Sequence, residues 1–430
     1  MFRDPGIETL GRADLERLQL GRLQALVARL HEGVPLYRER FVGAGIAAES
    51  IKSLADVRRL PFTTSGDLRE TYPSGLLAMP MDQTLRLHTS SGTTGRPKAL
   101  FFSPRDVDNA AELCARSFVA TGVTARDVFQ NMMTYGLFTG ALVAHYGAEK
   151  VGCLVIPAGP GNSEKQLALM QDFGTTTVHL TPSFALYFAD FLDGKGPEAR
   201  QPLKLRRAFV GAEPYSIETR DKIEQALGVE VFNSYGLSEM NGPGVAFECA
   251  ERAGMHLWED HFILEIIDPK TEEPTPDGEP GELVLTTLCR EAMPLLRYRT
   301  RDITSIVPGP CACGRTHRRL ARITGRADDM LIVRGVNVYP QQIEHVLMAI
   351  PQVGRNYLIV LEGRDDMTVQ AELAHTESEM NEEQRVALEG EIAARLRSEI
   401  LTKPKVKLLP PASLPVSEGK ATRVIDRRIL

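Results

Sequence analysis

The chain has 430 residues, a length that predicts two or three domains rather than one core. Its apolar and charged fractions are ordinary, and a formal net charge of -6 favours neither nucleic acid nor an anionic membrane as a partner. The six cysteines form no disulfide framework, no apolar run could cross a bilayer, and the charged first residues lack a secretion signal, so we expect a cytoplasmic protein.

The first predicted element is an amphipathic helix from Asp14 to Leu30, with leucines at helical spacing and Gly33 as a stop signal. From about residue 84 to 300, short apolar runs alternate with helical patterns. Buried strands are predicted at 151–156, 177–180, 207–210 and 229–232, and helices between them at 166–173 and 217–227. This alternation is typical of parallel strands joined by crossover helices.

The second half of the chain changes character twice. Residues 262–267 and 282–286 flank a turn rich in Pro, Gly and acids, which predicts an antiparallel hairpin in a β-subdomain. Beyond Gly325 we predict strands at 330–333, 357–361 and 367–373, and helices at 343–350 and 381–400. Residues 401–430 hold seven Lys/Arg against two acids, which indicates either a solvated tail or a face for a polyanionic ligand.

The segment from His88 to Lys98, HTSSGTTGRPK, combines glycines, hydroxyls and a closing lysine. Glycines let backbone N–H groups approach an anion, and the hydroxyls and the lysine add donors and charge, so the segment suits phosphate. Arg96 and Pro97 interrupt the spacing of a Walker A loop, and Pro97 has no N–H to donate. Taken alone, the pattern is explained equally well by a flexible surface turn.

Other segments carry groups that suit a nucleotide. Asn233 to Glu239, NSYGLSE, follows a predicted strand and offers a stacking ring at Tyr235 and a carboxylate for Mg²⁺ at Glu239. Asp302 ends the run RYRTRD and could accept hydrogen bonds from a ribose. The segments 325–335 and 416–421 add Asp328 and Lys420. Each alone is also explained by a turn, a charged strand edge or a solvated side chain.

In their order and spacing these segments resemble the adenylate-forming superfamily of acyl-CoA synthetases, adenylation domains and luciferases, over nearly the whole chain. The GAEP run at 211–214, the short N-terminal part and the Cys-x-Cys pair are most similar to phenylacetate-CoA ligases and related aryl-CoA ligases. The resemblance implies an α/β fold. A large N-terminal domain, 1–327, would hold mixed sheets, crossover helices and a β-subdomain, and 328–430 would form a small, mobile α+β domain.

The resemblance also implies ATP, Mg²⁺ and coenzyme A as ligands. The β- and γ-phosphates would be held by Ser90, Ser91, Gly92, Thr93, Thr94, Gly95 and Lys98. Adenine and the acyl-adenylate would be lined by Gly211, Ala212, Glu213, Pro214, Asn233, Ser234, Tyr235 and Gly236. Glu239 would hold Mg²⁺, and Asp302 would bind the ribose with Arg326 nearby. Asp328 would be the interdomain hinge, and Lys420 would reach the carboxylate and the α-phosphate during catalysis.

The acid would lie against residues 131–140, where these ligases place an aromatic acid. The candidates for the wall of the pocket are Met133, Tyr135, Phe138, Ala212 and Pro243. Aromatic rings and methionine favour a flat apolar ligand, although the same residues build ordinary cores. Ala141 stands where related ligases usually have a second glycine, and Met132-Met133 replaces smaller residues. Both departures leave the identity of the acid open.

Cys249, His256, Cys311 and Cys313 offer four ligands that zinc would bind tetrahedrally. The two halves are far apart in sequence, so unrelated reduced thiols are the alternative. The resemblance to aryl-CoA ligases that carry a metal near this position implies a structural zinc joining the loops 246–258 and 308–315, with His317 as a substitute ligand.

The function that follows is an ATP-dependent aryl-acid–CoA ligase for phenylacetate or a related aromatic or heteroaromatic acid. One alternative is an adenylyltransferase that stops at the adenylate, or transfers AMP to a coenzyme or a carrier protein. Another is a non-catalytic nucleotide-binding homologue, against which Glu239, Asp302 and Lys420 weigh together. A homodimer is an expectation from base rates.

Overall fold

The computed structural model describes residues 1–90, 97–363, 366–374, 380–415 and 422–428. Their contacts divide the chain into two compact units. The first unit is Met1–Gly159, Thr176–His179 and Phe232–Arg322, and the second unit is Pro160–Thr175, Leu180–Val231 and Ile323–Leu430. We describe each unit by itself.

The helices in the described residues are α1 (Pro5–Glu8), α2 (Arg12–Gly33), α3 (Pro35–Ala44), α4 (Ser65–Glu70), α5 (Pro104–Ala120), α6 (Thr139–Val151), α7 (Ser163–Phe173), α8 (Pro182–Lys195), α9 (Ile217–Leu227), α10 (Pro340–Met348) and α11 (Glu382–Ile400). Within the described ranges, no helix combines the length and the apolar character that crossing a membrane requires.

The strands are β1 (Arg86–Ser90), β2 (Lys98–Phe102), β3 (Val128–Asn131), β4 (Leu154–Ile156), β5 (Thr177–Leu180), β6 (Arg207–Gly211), β7 (Glu230–Leu237), β8 (Gly242–Glu248), β9 (Met255–Leu257), β10 (Phe262–Ile267), β11 (Gly281–Thr287), β12 (Tyr298–Thr304), β13 (Ile306–Val307), β14 (Arg319–Leu320), β15 (Gly325–Arg326), β16 (Leu331–Val333), β17 (Val336–Val338), β18 (Val353–Glu362), β19 (Asp366–Leu373), β20 (Lys405–Leu409) and β21 (Val424–Asp426).

The first unit combines parallel and antiparallel strands, as predicted. β3 pairs in parallel with β4 and with β5, and α6 lies in the connection from β3 to β4. β7, β8 and β9 pair in antiparallel order. The predicted hairpin is confirmed, because β10 and β11 pair antiparallel from Phe262 opposite Thr287 onwards, and β12 follows as the next strand. The predicted N-terminal helix is also confirmed as α2, whose apolar face is buried.

The strand predicted at 151–156 is wrong over its first half. α6 continues to Val151 and ends at Gly152, whose φ of 95° is the left-handed conformation that favours glycine at a helix end. The strand is limited to Leu154–Ile156. Its position at the edge of the parallel strands leaves Leu154 57% exposed, so an apolar run here does not mark a buried strand.

The C-terminal part of the second unit has the predicted α+β composition. Its sheet has the order β20-β19-β18-β21, with β18 and β19 antiparallel and each edge strand parallel to its neighbour. Apolar residues of the sheet and of α10 and α11 form one core, including Ile359, Val369, Leu347 and Ile392. The helices and strands that the sequence predicts beyond Gly325 are all present, and their ends differ from the predicted ends by a few residues.

Within the second unit, Glu344 of α10 is bound to the start of α9. Its Oε1 accepts hydrogen bonds from the backbone N of Ser216 at 3.1 Å and from Thr219 Oγ1 at 2.5 Å. Its Oε2 accepts a hydrogen bond from the Tyr357 hydroxyl at 2.9 Å. A carboxylate at the N-terminus of a helix is stabilised by the free N–H groups there, so this contact joins α10 firmly to α9.

Candidate active site

An ion pair between the half-buried Lys98 and the buried Glu239 joins two of the predicted site residues. Lys98 is the first residue of β2, and Glu239 lies in a single helical turn, Ser238–Met240, directly after β7. The Lys98 Nζ donates to Glu239 Oε1, and the Tyr298 hydroxyl donates to the same oxygen at 3.0 Å. Burial opposes the charge of Glu239, but Lys98 outweighs it and the pKa of the carboxyl group is lowered. The carboxyl group of Glu239 is therefore ionised.

Arg290 binds the backbone on both sides of this pair, at the turn with Glu239 and in the strand with Lys98. Its Nη1 donates to the carbonyl oxygen of Glu239 at 2.5 Å, and its Nη2 donates to that of Phe101 in β2 at 3.1 Å. The guanidinium also stacks over the ring of Phe102, 4.2 Å from its centre. Burial lowers the pKa of Arg290 to about 10, which leaves it charged near neutral pH. The turn with Glu239 is thereby fixed to the strand that carries Lys98.

A second contact joins two other predicted motifs. The Tyr235 hydroxyl donates to Asp302 Oδ2 at 2.6 Å, and both side chains are buried. The motif 233–237 lies inside β7 rather than after a strand, with a bulge between Tyr235 and Gly236. A Cβ on Gly236 would lie 1.9 Å from the carbonyl oxygen of Gly242, so only glycine fits this position.

The other residues of this motif are also held by β8. Asn233 and Ser234 are buried. The backbone N of Asn233 donates to Glu248 Oε2 at 2.7 Å, and Pro243, a candidate for the acid pocket, pairs with Gly236. The backbone of the motif is thus fixed on one side by the antiparallel ladder.

The segment predicted to meet the acid is ordered by Asn131 at the end of β3. The Asn131 Nδ2 donates to the Tyr135 hydroxyl at 2.9 Å and to the carbonyl oxygen of Ala141 at 2.8 Å. Burial raises the pKa of Tyr135 to about 12, so the phenol keeps its proton. Met133 is half-buried, whereas Phe138 is 41% exposed. Gly140 lies against Pro243, with its Cβ position 3.9 Å from the ring.

Several predicted site residues belong to the second unit. Gly211 ends β6, and Ala212 follows with φ of 69° and an exposed side chain. Glu213 accepts hydrogen bonds from the hydroxyl of Ser183 at 3.0 Å and from its backbone N at 3.2 Å, and Pro214 is exposed beside it. Arg326 forms a two-point contact with Asp328, from Nε to Oδ1 at 2.9 Å and from Nη2 to Oδ2 at 3.0 Å.

The remaining predictions fall on residues outside the described ranges. These are Ser91, Gly92, Thr93, Thr94, Gly95 and Lys420. Ser90, of which the structure describes the backbone, pairs with Lys98 at the end of the antiparallel β1–β2 hairpin.

The four predicted metal ligands lie together. The ligand atoms of Cys249, His256, Cys311 and Cys313 are all within 4.8 Å of one another. The sulfur atoms of Cys249 and Cys311 are 3.8 Å apart, and the Cys313 sulfur is 3.3 Å from His256 Nε2. In a tetrahedral zinc site, ligand atoms at about 2.0–2.3 Å from the metal lie roughly 3.5–3.8 Å from one another. The distances and the three sulfur ligands therefore fit zinc.

The contacts around this cluster select His256 over His317. The Nδ1 of His256 donates to the carbonyl oxygen of His317 at 3.1 Å, which leaves Nε2 to face the sulfur atoms, as in second-shell hydrogen bonds of zinc proteins. His317 uses both nitrogens elsewhere, since Nδ1 accepts from the backbone N of Glu259 at 2.9 Å and Nε2 donates to the carbonyl oxygen of Ile7 at 3.1 Å. His317 is not part of the cluster, so the prediction of a substitute ligand is wrong for this arrangement.

Two known protein families match this chain, one in its N-terminal and central part and one near its C-terminus. Residues 47–289 match the family described as AMP-binding enzyme. Residues 335–428 match the family described as AMP-binding enzyme C-terminal domain. The first match covers more than half of the chain. It includes Lys98, the first residue of β2, and Glu239, which follows β7.

Curated relatives match over the full length. A phenylacetate-coenzyme A ligase of Thermus thermophilus is 44% identical, with 100% of both chains covered. A second one, of Escherichia coli, is 42% identical over 99% of this chain and 97% of the relative. Among solved structures, a 2-hydroxyisobutyryl-CoA ligase in complex with 2-HIB-AMP is similar, with a TM-score of 0.92 and 28% identity over 98% of this chain and 91% of that chain.

Proposed function

The chain belongs to the AMP-binding enzyme family, among the phenylacetate-CoA ligases, and we propose that its candidate site carries out both steps of an ATP-dependent aryl-acid–CoA ligation. In the first step a carboxylate oxygen attacks the α-phosphorus of ATP and pyrophosphate leaves. In the second, the thiol of coenzyme A attacks the acyl carbon of the adenylate and AMP leaves. The Lys98–Glu239 pair at the end of the paired strands β1 and β2 carries this proposal, because it holds opposite charges where polyphosphate would meet a cation.

The first step depends on charge neutralisation and positioning rather than on a general base, because a carboxylate is already a nucleophile. We propose that Lys98 turns from Glu239 to the β- and γ-phosphates with the hydroxyl-rich segment 90–95. Glu239 fits Mg²⁺, since it offers the carboxylate oxygen that this ion prefers and is already held ionised. When bound, Mg²⁺ would supply charge neutralisation for the leaving pyrophosphate.

The nucleoside would be held by the second contact of the site. Asp302 is proposed to accept hydrogen bonds from the ribose, with Tyr235 keeping its carboxylate oriented. Adenine would lie along 233–236 and 211–214, with Arg326 near the ribose. Lys420 is proposed to reach the carboxylate and the α-phosphate. For the second step, the proposed domain 328–430 would turn about Asp328 away from the proposed domain 1–327 and admit the thiol.

The acid is proposed to be aromatic or heteroaromatic, with phenylacetate as the first candidate. The support is the set of side chains proposed for its pocket, Met133, Tyr135, Phe138, Ala212 and Pro243. We also propose that the cysteine–histidine cluster holds a structural zinc ion that joins the chain near Cys249 to the loop with Cys311 and Cys313. A homodimer stays a prediction, which light scattering on the purified protein would test.

The experiment that tests this function is a panel of aryl acids, each incubated with ATP and Mg²⁺ with and without coenzyme A. We expect AMP to form in multiple turnovers only when an accepted acid and coenzyme A are both present. Release of pyrophosphate without coenzyme A, with the AMP kept in the adenylate or in an adenylylated acceptor, would favour the adenylyltransferase instead. The variant Lys420→Ala is expected to lose acid-dependent exchange of pyrophosphate into ATP, and unchanged exchange in this variant would contradict the mechanism.

A further inference from the structure

The hydrogen bond between Asn131 and Tyr135 continues to two residues of α6 that have not been described so far, His145 and Glu149. The Tyr135 hydroxyl lies 2.9 Å from Asn131 Nδ2 and 3.2 Å from His145 Nδ1. The Nε2 of His145 lies 3.0 Å from Glu149 Oε1, one helical turn further along α6. The ring of His145 meets that of Tyr135 edge to face, with centres 6.0 Å apart. His145 therefore contacts the phenol through both its polar and its apolar atoms.

The direction of each hydrogen bond follows from the groups at the Asn131 end. The Oδ1 of Asn131 accepts from the backbone N of Met133 at 3.3 Å, and a backbone N–H can only donate. The Nδ2 donates to the carbonyl oxygen of Ala141 at 2.8 Å, and a carbonyl can only accept. Both contacts fix the orientation of the amide, so its second N–H donates to the Tyr135 oxygen.

The Tyr135 oxygen can either accept a second hydrogen bond from its other neighbour or donate its own hydrogen to that neighbour, and the contact with Glu149 decides between the two. That neighbour is His145 Nδ1, which accepts only when it carries no hydrogen. A carboxylate oxygen can only accept, so in neutral His145 the ring hydrogen is on Nε2, where Glu149 Oε1 accepts it, and Nδ1 accepts from Tyr135. Glu149 selects the tautomer that lets His145 receive the Tyr135 hydrogen.

The other end of the same segment is also held. The carbonyl oxygen of Leu137 accepts from the backbone N of Thr89 at 3.0 Å and lies 3.1 Å from His88 Nδ1. Both donors belong to β1, the strand that leads into the segment proposed for phosphate. Residues 132–138 are therefore fixed on one side by Asn131 and His145 and on the other by β1.

We propose that His145 is a positioning residue that holds the Tyr135 ring in the wall of the acid pocket and accepts the hydrogen bond that the Tyr135 hydroxyl donates. The pocket then recognises the aryl group by contact with the ring, and Tyr135 has no hydrogen left to donate to the substrate. An aryl acid with a hydrogen-bond acceptor next to Tyr135 would lose its water and gain no donor in return. This inference rests on the proposed function and names the specificity of that site.

The kinetic test compares phenylacetate with the three pyridylacetates, in which a ring nitrogen replaces one C–H without a change of shape. For the unsubstituted acid, His145→Leu is expected to raise the KM by about tenfold while the KM for ATP stays unchanged, because the ring of Tyr135 is no longer held. In the same variant the phenol hydrogen is free, so kcat/KM for one pyridylacetate relative to phenylacetate is expected to rise about three- to tenfold, the size of one hydrogen bond.

His145→Asn is the matched control, because the Oδ1 of asparagine can replace Nδ1 as the acceptor for Tyr135. We expect it to keep the KM and the acid preference of the unmodified enzyme. Equal changes in the KM for the acid and for ATP, or the same acid preference in both variants, would overturn the proposal. His145 is only 19% exposed, so thermal melting of both variants is measured first to confirm that they fold.

A second measurement does not depend on activity. Long-range proton–nitrogen spectra of ¹⁵N-histidine-labelled protein report which ring nitrogen carries hydrogen, and the His145 signal is identified by its loss in His145→Asn. We expect the Nε2–H tautomer, with a shift towards a tautomer mixture in Glu149→Ala. A hydrogen on Nδ1 in the unmodified protein would overturn the inference. Absence of ligase activity with every acid, together with the expected tautomer, would instead contradict the proposed function.

Discussion

At the scale of single residues, the pair of Lys98 and Glu239 determines what the site can accept. Each side chain neutralises the other in surroundings where an unpaired charge would cost about 3–5 kcal/mol. A bound polyphosphate offers Lys98 a new partner, and a divalent cation offers one to Glu239. The two exchanges are favourable only together, so we expect ATP and Mg²⁺ to bind more tightly in each other's presence than alone.

Replacement of Glu239 by glutamine tests this arrangement. The variant keeps the shape of the side chain but leaves Lys98 without a counter-charge and removes an oxygen ligand of Mg²⁺. We expect acid-dependent pyrophosphate exchange to fall about 100-fold, the usual scale for loss of one charged group in a site of this kind. Exchange is measured over a range of Mg²⁺ concentrations.

Glu265→Gln is the matched control for that variant. Glu265 also forms a buried ion pair, with Arg297 at 2.8 Å, but it has no role in the proposed chemistry. This variant is expected to lose stability and to keep exchange activity at temperatures where it is folded. If Glu239→Gln retains activity within about twofold of the unmodified enzyme while the control does so too, Glu239 has no part in the first step.

At the scale of elements, periodicity predicts most helices and strands, because amphipathic faces are local properties of the sequence. α9 and β5 have the bounds that the pattern predicts. The pattern fails at 151–156, where the end of α6 and an exposed edge strand are apolar in succession. An apolar run cannot by itself distinguish the last turn of a helix from a strand.

The sequence predicts which residues belong to the site better than it predicts which of them contact each other. Lys98 and Glu239 are both recognisable from their motifs, but 141 residues separate them, and only the pairing of strands places them together. Tyr298 stands in the arginine-rich motif, where the charges attract attention and the phenol does not. Arg290 belongs to no motif, so its contacts with the two backbone carbonyls have no signal in the sequence.

The loop that carries the cysteine pair is an element that we expect to depend on metal. Cys313→Ser removes one of four ligands, so the zinc content of the purified protein should fall from near one to well below one per chain. Loss of a structural zinc removes a large part of the local folding energy, and the melting temperature should fall by several degrees. Metal analysis and calorimetry measure the two effects.

Cys153→Ser is the corresponding control, because Cys153 is a buried thiol outside the cluster that donates to the carbonyl oxygen of Thr124. A serine hydroxyl can make the same hydrogen bond. This variant should retain its metal and most of its stability. Unmodified protein that contains no metal, or a Cys313→Ser variant with full metal content, would contradict the zinc assignment.

At the scale of the whole molecule, stability depends on histidines that are buried without charge. Burial lowers the pKa of His88, His179 and His261 to about 4 each. In the unfolded chain the same groups have a pKa of about 6.5. Between these values the unfolded chain binds protons that the folded chain does not bind, so stability falls as the pH decreases from about 6.5 towards 4.

We therefore expect the free energy of unfolding to be about 3–4 kcal/mol lower at pH 5.5 than at pH 7.5, with about 1 kcal/mol from each histidine. Urea titrations at the two pH values measure this difference. His88→Asn, which keeps a donor for the carbonyl oxygen of Leu137, should reduce the difference by about one third. Metal loss at low pH affects both proteins equally, so a variant with the same pH dependence as the unmodified protein would refute the role of His88.

Trp258 gives this molecule a built-in optical probe. It is the only tryptophan of the chain, it is fully buried, and its indole N–H donates to Ser117 Oγ at 3.2 Å. Its ring meets that of His317 edge to face, at 5.7 Å between centres, in the loop that follows Cys313. When tryptophan is excited selectively, the emission thus originates at one known position. A red shift of this emission on chelation would report opening of the cysteine loop in real time, without any label.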